Sequence, residues 1–118
     1  MSSVPPTVNE VVKTLAKLGR DLDFQQGEIG RLDGEHMEAK RVYERAYATA
    51  FVAAKGAENF RKQVAVLATE DERLAADLAY QKLKAAKEYI RVLRDRLDIG
   101  RSLNSAIKSE WVASGQSG

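Results

Sequence analysis

Residues 69–111 read TEDERLAADLAYQKLKAAKEYIRVLRDRLDIGRSLNSAIKSEW, and this stretch decides the fold. Thr69-Glu70-Asp71-Glu72 has the form of a capping box, with Glu72 placed to reach back to the amide of Thr69. Its three acids also suit the positive end of a helix. No proline follows, and Gly115 ends the pattern. The spacing predicts one helix over 69–113, roughly 65 Å long at 1.5 Å per residue.

An apolar seam runs along it in alternating steps of three and four: Ala76, Ala79, Leu83, Ala86, Ile90, Leu93, Leu97, Gly100, Asn104, Ile107, Trp111. This is a heptad pattern. Beside it runs a second row, Tyr80, Lys84, Lys87, Arg91, Arg94, Asp98, Arg101, Lys108, which also shares one face. Residues 80–108 carry a net charge of +5, whereas residues 1–79 carry −2. The chain total of +2 therefore hides a basic half. A solvated helix face is one reading of the row; a track for a phosphate backbone is the other.

Working back, residues 1–6 form a short tail closed by Pro5-Pro6, and Thr7-Val8-Asn9-Glu10 repeats the capping-box pattern. A second seam follows: Val8, Val11, Leu15, Leu18, Leu22, Gln25, Ile29, Leu32, His36, Ala39, Tyr43, Ala46, Ala50, Ala53, Ala57. Gly27, Gly30 and Gly34 interrupt it chemically, each costing about 1 kcal/mol against alanine. A kink or break is expected near 27–34, with Asp33 able to cap a fresh start. Gly56 helps end this helix. Residues 58–68 are expected to connect the two helices, as a packed segment more apolar than a solvent loop and able to hold a helical turn or, less readily, a strand.

The expected fold is all-α: a long antiparallel, coiled-coil-like helical hairpin whose N-terminal helix is kinked or broken. A single domain, 1–118, divides into an N-terminal arm (7–34), a first hairpin helix (35–57), a connection (58–68), a long second helix (69–113) and a flexible tail (114–118). A turn near 64–65 would set Ile29 on Gly100 and pair the two polar seam residues, Gln25 and Asn104. Such a hairpin leaves Val42, Tyr47, Phe51, Val52, Leu74, Leu78, Tyr89, Ile99 and Leu103 without cover. Apolar surplus of that kind marks an interface, so a homo-oligomeric helical bundle is expected.

At 118 residues and 44% hydrophobic, the chain is neither multidomain nor disordered in composition. It has no cysteine, hence no disulfide or thiolate chemistry. The N-terminus lacks the features of a signal peptide, and no apolar run reaches transmembrane length. A cytoplasmic protein is expected, in the host cytoplasm if phage-encoded. His36, the one histidine, cannot build a histidine metal site. Glu35, Glu38 and Glu44 interleave with Lys40, Arg41 and Arg45 as ordinary helical partners. The glycines lack a phosphate-loop context. No enzyme, metal or cofactor is expected.

The segment Asn59-Phe60-Arg61-Lys62-Gln63-Val64, the capped second helix and its ending Leu97-Asp98-Ile99-Gly100-Arg101-Ser102-Leu103-Asn104-Ser105-Ala106-Ile107-Lys108-Ser109 resemble the UvsY-like recombination mediators of phages. The resemblance covers roughly residues 36–110 and leaves out the N-terminal heptads. It implies a ring-like homo-oligomer that binds single-stranded DNA. It also implies partners, a RecA-type recombinase to be loaded and a single-strand binding protein to be displaced. On that reading Lys84, Lys87, Arg91, Arg94, Arg101 and Lys108 neutralise phosphates, Tyr80 flanks them as a stacking platform, and Asp98 interrupts the row. The alternative is a structural or assembly coiled coil, such as a phage scaffold, tail-assembly or adaptor protein, without nucleic-acid binding. A secreted helical hairpin effector ranks last, because the Trp-x-Gly turn of that class is missing.

Overall fold

The computed structural model describes residues 7–113, and every element among them is helical: α1 (Val8–Ala53), α2 (Glu58–Ala68) and α3 (Glu70–Trp111). The tails at 1–6 and 114–118, with the terminating role given to Gly115, lie outside the described residues. The helices contribute to two compact units. The first joins residues 7–27 to 88–113, and the second is Glu28–Lys87. No described helix is long and apolar enough to cross a membrane.

The capping box at the start of α1 forms as its sequence requires. The Glu10 amide donates to Thr7 Oγ1 at 3.1 Å, and the Thr7 amide donates to Glu10 Oε2 at 3.2 Å. α1 then continues through Gly27, Gly30 and Gly34, so of the kink or break expected there the break is absent, and Asp33 starts no new helix. Two local effects offset the glycine cost. Arg31 bridges back to Glu28 and forward to Glu35, spanning Gly30 and Gly34 with i,i+3 and i,i+4 pairs. Ile29, Leu32 and His36 are also held half-buried through the same stretch.

α1 stops where Gly56 takes φ +114°, the only left-handed conformation among the described residues. Its last turn carries no cation of its own. Arg61 of α2 supplies one. Its Nε and Nη2 donate to the Phe51 carbonyl at 3.2 and 3.1 Å, and its guanidinium lies 4.4 Å from the centre of the Phe51 ring. The cap and the cation–π contact together predict that Arg61→Ala costs about 1–2 kcal/mol. Arg61→Lys should recover only part of this, since lysine lacks the planar fork. Urea unfolding of the three proteins checks it.

The segment 58–68, expected as a connection, is the helix α2, and its Ala65 is fully buried. This changes the role of Thr69. Its hydroxyl donates back to the Ala65 carbonyl at 2.7 Å and its amide to Val66 at 3.3 Å, so it closes α2 instead of boxing with Glu72. Glu72 Oε2 is buried without a hydrogen-bond partner among the described residues. The physical reason is that α2 leaves orphan carbonyls immediately before Thr69, and its side chain satisfies one of them.

The seams bury as their periodicity dictates. On α3, Ala76, Leu83, Ala86, Ile90, Leu93 and Leu97 are buried, with Ala79, Gly100, Asn104 and Ile107 half-buried. On α1, Val11 is buried and the seam positions from Leu15 to Ala50 are half-buried. The register is different from the expected one. In the second unit the His36 and Tyr80 rings lie 5.3 Å apart. In the first, a Cβ placed on Gly100 would come within 2.5 Å of Leu15 Cδ2. Gly100 thus meets Leu15 and not Ile29, a shift of two heptads along α1. Seams align equally well at any multiple of seven, so the turn decides, and it lies at 54–57 because 58–68 coils into α2. Gln25 and Asn104 are therefore not partners, and Asn104 Oδ1 is buried with no hydrogen bond among the described residues.

Candidate nucleic-acid interface

The basic row follows each seam residue of α3 by one position, which turns it about 100° away from the buried stripe. All seven candidate residues are exposed, so none is consumed by the core. In the second unit, Tyr80 rests on His36 with the rings tilted by 51°. Lys84 and Lys87, one and two turns on, have no ion pair among the described residues and are free to meet an anion.

In the first unit the row divides. Arg91 is engaged twice, at 2.9 Å to Glu88 and 3.8 Å to Asp95. The hydrogen bonds it donates to Glu88, then the charges of Glu88 and Asp95, raise its pKa above the ordinary arginine value. Arg101 stands 3.7 Å from Asp98. Arg94 and Lys108 have no ion pair among the described residues. The structure thus reduces six candidate cations to four uncommitted ones: Lys84, Lys87, Arg94 and Lys108. The pairing of Arg91 was legible as Glu88-x-x-Arg91-x-x-x-Asp95, an i,i+3 and i,i+4 triad. The same arrangement holds Arg31 between Glu28 and Glu35, and its hydrogen bond sets the Glu28 carboxyl below the usual glutamate range.

Two side chains outside the row matter to these surfaces. Arg61 was passed over because its role depends on the helical state of 58–68. Arg96 was passed over because it lies off the row. It lines an apolar groove of the first unit together with Val11, Leu15, Leu18, Ile99 and Leu103. Among the described residues, no three of His, Asp or Glu come together in a way that could hold a metal ion.

The expected surplus of apolar side chains is present. Val42, Val52, Leu74, Leu78, Tyr89, Ile99 and Leu103 are exposed, whereas Tyr47 and Phe51 are half-covered, stacked on each other at 6.4 Å. Leu78, Tyr89, Ile99 and Leu103 each precede a seam position by one residue, on the opposite flank of α3 from the basic row, and Leu74 precedes Ala76 by two, on the outer face. No protein-family model, curated protein or solved structure matches this chain.

Proposed function

We propose that this protein is a self-assembling mediator that binds single-stranded DNA and helps load a RecA-type recombinase onto it, displacing a single-strand binding protein, in the cytoplasm. The observation that carries this reading is two pairs of exposed cations with no ion pair among the described residues, Lys84 and Lys87 in the second unit and Arg94 and Lys108 in the first, in a row of α3 positions that holds no large apolar residue other than Tyr80. The resemblance of residues 36–110 to UvsY-like mediators supports it independently. Self-assembly would multiply the four cations along one strand, so that weak individual contacts add.

Fluorescence anisotropy of labelled single-stranded and duplex oligonucleotides at several salt concentrations tests the proposal. Binding to single strands should weaken steeply with salt, each phosphate contact contributing about 0.7 to the log–log slope. Lys84→Glu/Lys87→Glu should lower affinity at least about tenfold and flatten that slope. Arg91→Glu should matter less, because Arg91 is already committed to Glu88 and Asp95. Absence of binding at low salt, or unchanged affinity in the double variant, refutes the reading. That result would favour the assembly coiled coil, for which the exposed apolar residues also speak.

A further inference from the structure

The exposed apolar side chains of α3 form two short surfaces with the same spacing and opposite charge. In the second unit, Asp71, Leu74 and Leu78 occupy positions i, i+3 and i+7. In the first unit, Arg96, Ile99 and Leu103 occupy i, i+3 and i+7 as well. The four apolar side chains are 57, 54, 69 and 41% exposed, in the order Leu74, Leu78, Ile99, Leu103. Asp71 and Arg96 are exposed and have no ion pair among the described residues. Residues 67–79 carry a net charge of −3, and residues 91–108 carry +3.

We infer that the occupant of the Arg96–Ile99–Leu103 groove is the Asp71–Leu74–Leu78 stripe of a second copy of this chain. Two α3 helices packed in parallel, staggered by 25 positions, set Asp71 on Arg96, Leu74 on Ile99 and Leu78 on Leu103. Twenty-five residues are about seven turns of an α-helix at 3.6 residues per turn, so the two stripes keep nearly one direction about α3, and the charged pair at the edge fixes the stagger. The groove is also lined by Val11, Leu15 and Leu18, which supply further apolar surface, and by Glu10 and Thr14 of the same helix. A second copy is favoured over an unrelated partner because this chain itself carries the matching spacing and the complementary charge. The two surfaces differ, so the contact is heterologous. A dimer keeps one of each surface unused, and because the stagger advances every copy along the helix axis, assembly continues as a filament.

The inference rests on the self-assembling half of the proposed function. Its test contains no DNA, so the two can fail separately. Sedimentation velocity is measured on the full chain and on two variants, Leu74→Asp/Leu78→Asp and Ile99→Asp/Leu103→Asp, with helix content checked by circular dichroism. The wild type should form oligomers. Each variant alone should be monomeric. Mixed in equal amounts they should give a dimer and nothing larger, because the intact stripe of one finds the intact groove of the other. Charge exchange is the second arm, at exposed positions, again with helix content checked by circular dichroism. Asp71→Arg and Arg96→Asp should each weaken association tenfold or more, and the double variant should restore it. A monomeric wild type, variants that assemble as the wild type does, a mixture that stays monomeric, or a double exchange no better than the singles would each overturn the interface.

Discussion

Leu93→Ala is expected to destabilise the protein by about 2–5 kcal/mol, the range for emptying a fully buried leucine site. Leu93 is 1% exposed and is the largest apolar side chain buried so completely. Among the described residues eight apolar ones are buried, and three of them, Ala65, Ala76 and Ala86, are alanines that withdraw little area from water. The transfer energy therefore rests on Val11, Leu83, Ile90, Leu93 and Leu97, at about 1.5–3 kcal/mol for each fully buried large side chain. An ordinary domain holds about 5–15 kcal/mol in all, so losing one of these five leaves little reserve. Urea unfolding followed by far-ultraviolet circular dichroism should show the midpoint falling sharply. Leu74→Ala, at a position on the same helix that is more than half exposed, should change stability by about 0.5 kcal/mol or less in the protomer. Equal losses at the two positions would mean that α3 does not bury the Leu83–Leu97 stripe.

That contrast is legible in the sequence, because burial on a helix follows periodicity and periodicity is local information. Both seams, the exposed basic row and the uncovered Leu74, Leu78, Ile99 and Leu103 follow from steps of three and four. What did not follow was anything set by a choice between equivalent arrangements. A heptad seam slides by seven without changing which residues it buries, so Gly100 meets Leu15 where the pattern alone allowed Ile29. The polar pair Gln25–Asn104 looked like a register marker, but the cost of leaving Asn104 Oδ1 unpaired is small beside the demand that 58–68 form its own helix. Thr69 shows the same limit at shorter range. Its sequence is a good N-cap, and its hydroxyl nevertheless serves the preceding helix because that helix exists. The glycine cluster misled for a related reason: propensity argues for a break, while the Glu28–Arg31–Glu35 bridge and the half-buried seam keep the helix running.

Those glycines give the second large effect, in the opposite direction. Gly27→Ala/Gly30→Ala/Gly34→Ala is expected to stabilise the protein by about 2–3 kcal/mol, since each helical glycine costs about 1 kcal/mol relative to alanine. All three are helical with negative φ, and a Cβ at any of them meets nothing within 4 Å. The melting temperature should rise by roughly 10 °C. The two described glycines of close fit should not share this gain. Gly56→Ala forces a side chain into φ +114°. Gly100→Ala gains helix propensity but drives its methyl into Leu15 Cδ2. The last case isolates the register. If Leu15 is the neighbour, Leu15→Ala should make room for the methyl, and the double variant Leu15→Ala/Gly100→Ala should lose less than the two single changes predict separately. Ile29→Ala, at the position the alternative register sets opposite Gly100, should give plain additivity. The coupling energy, about 0.5–3 kcal/mol for residues in contact and near zero for distant ones, decides between the two alignments.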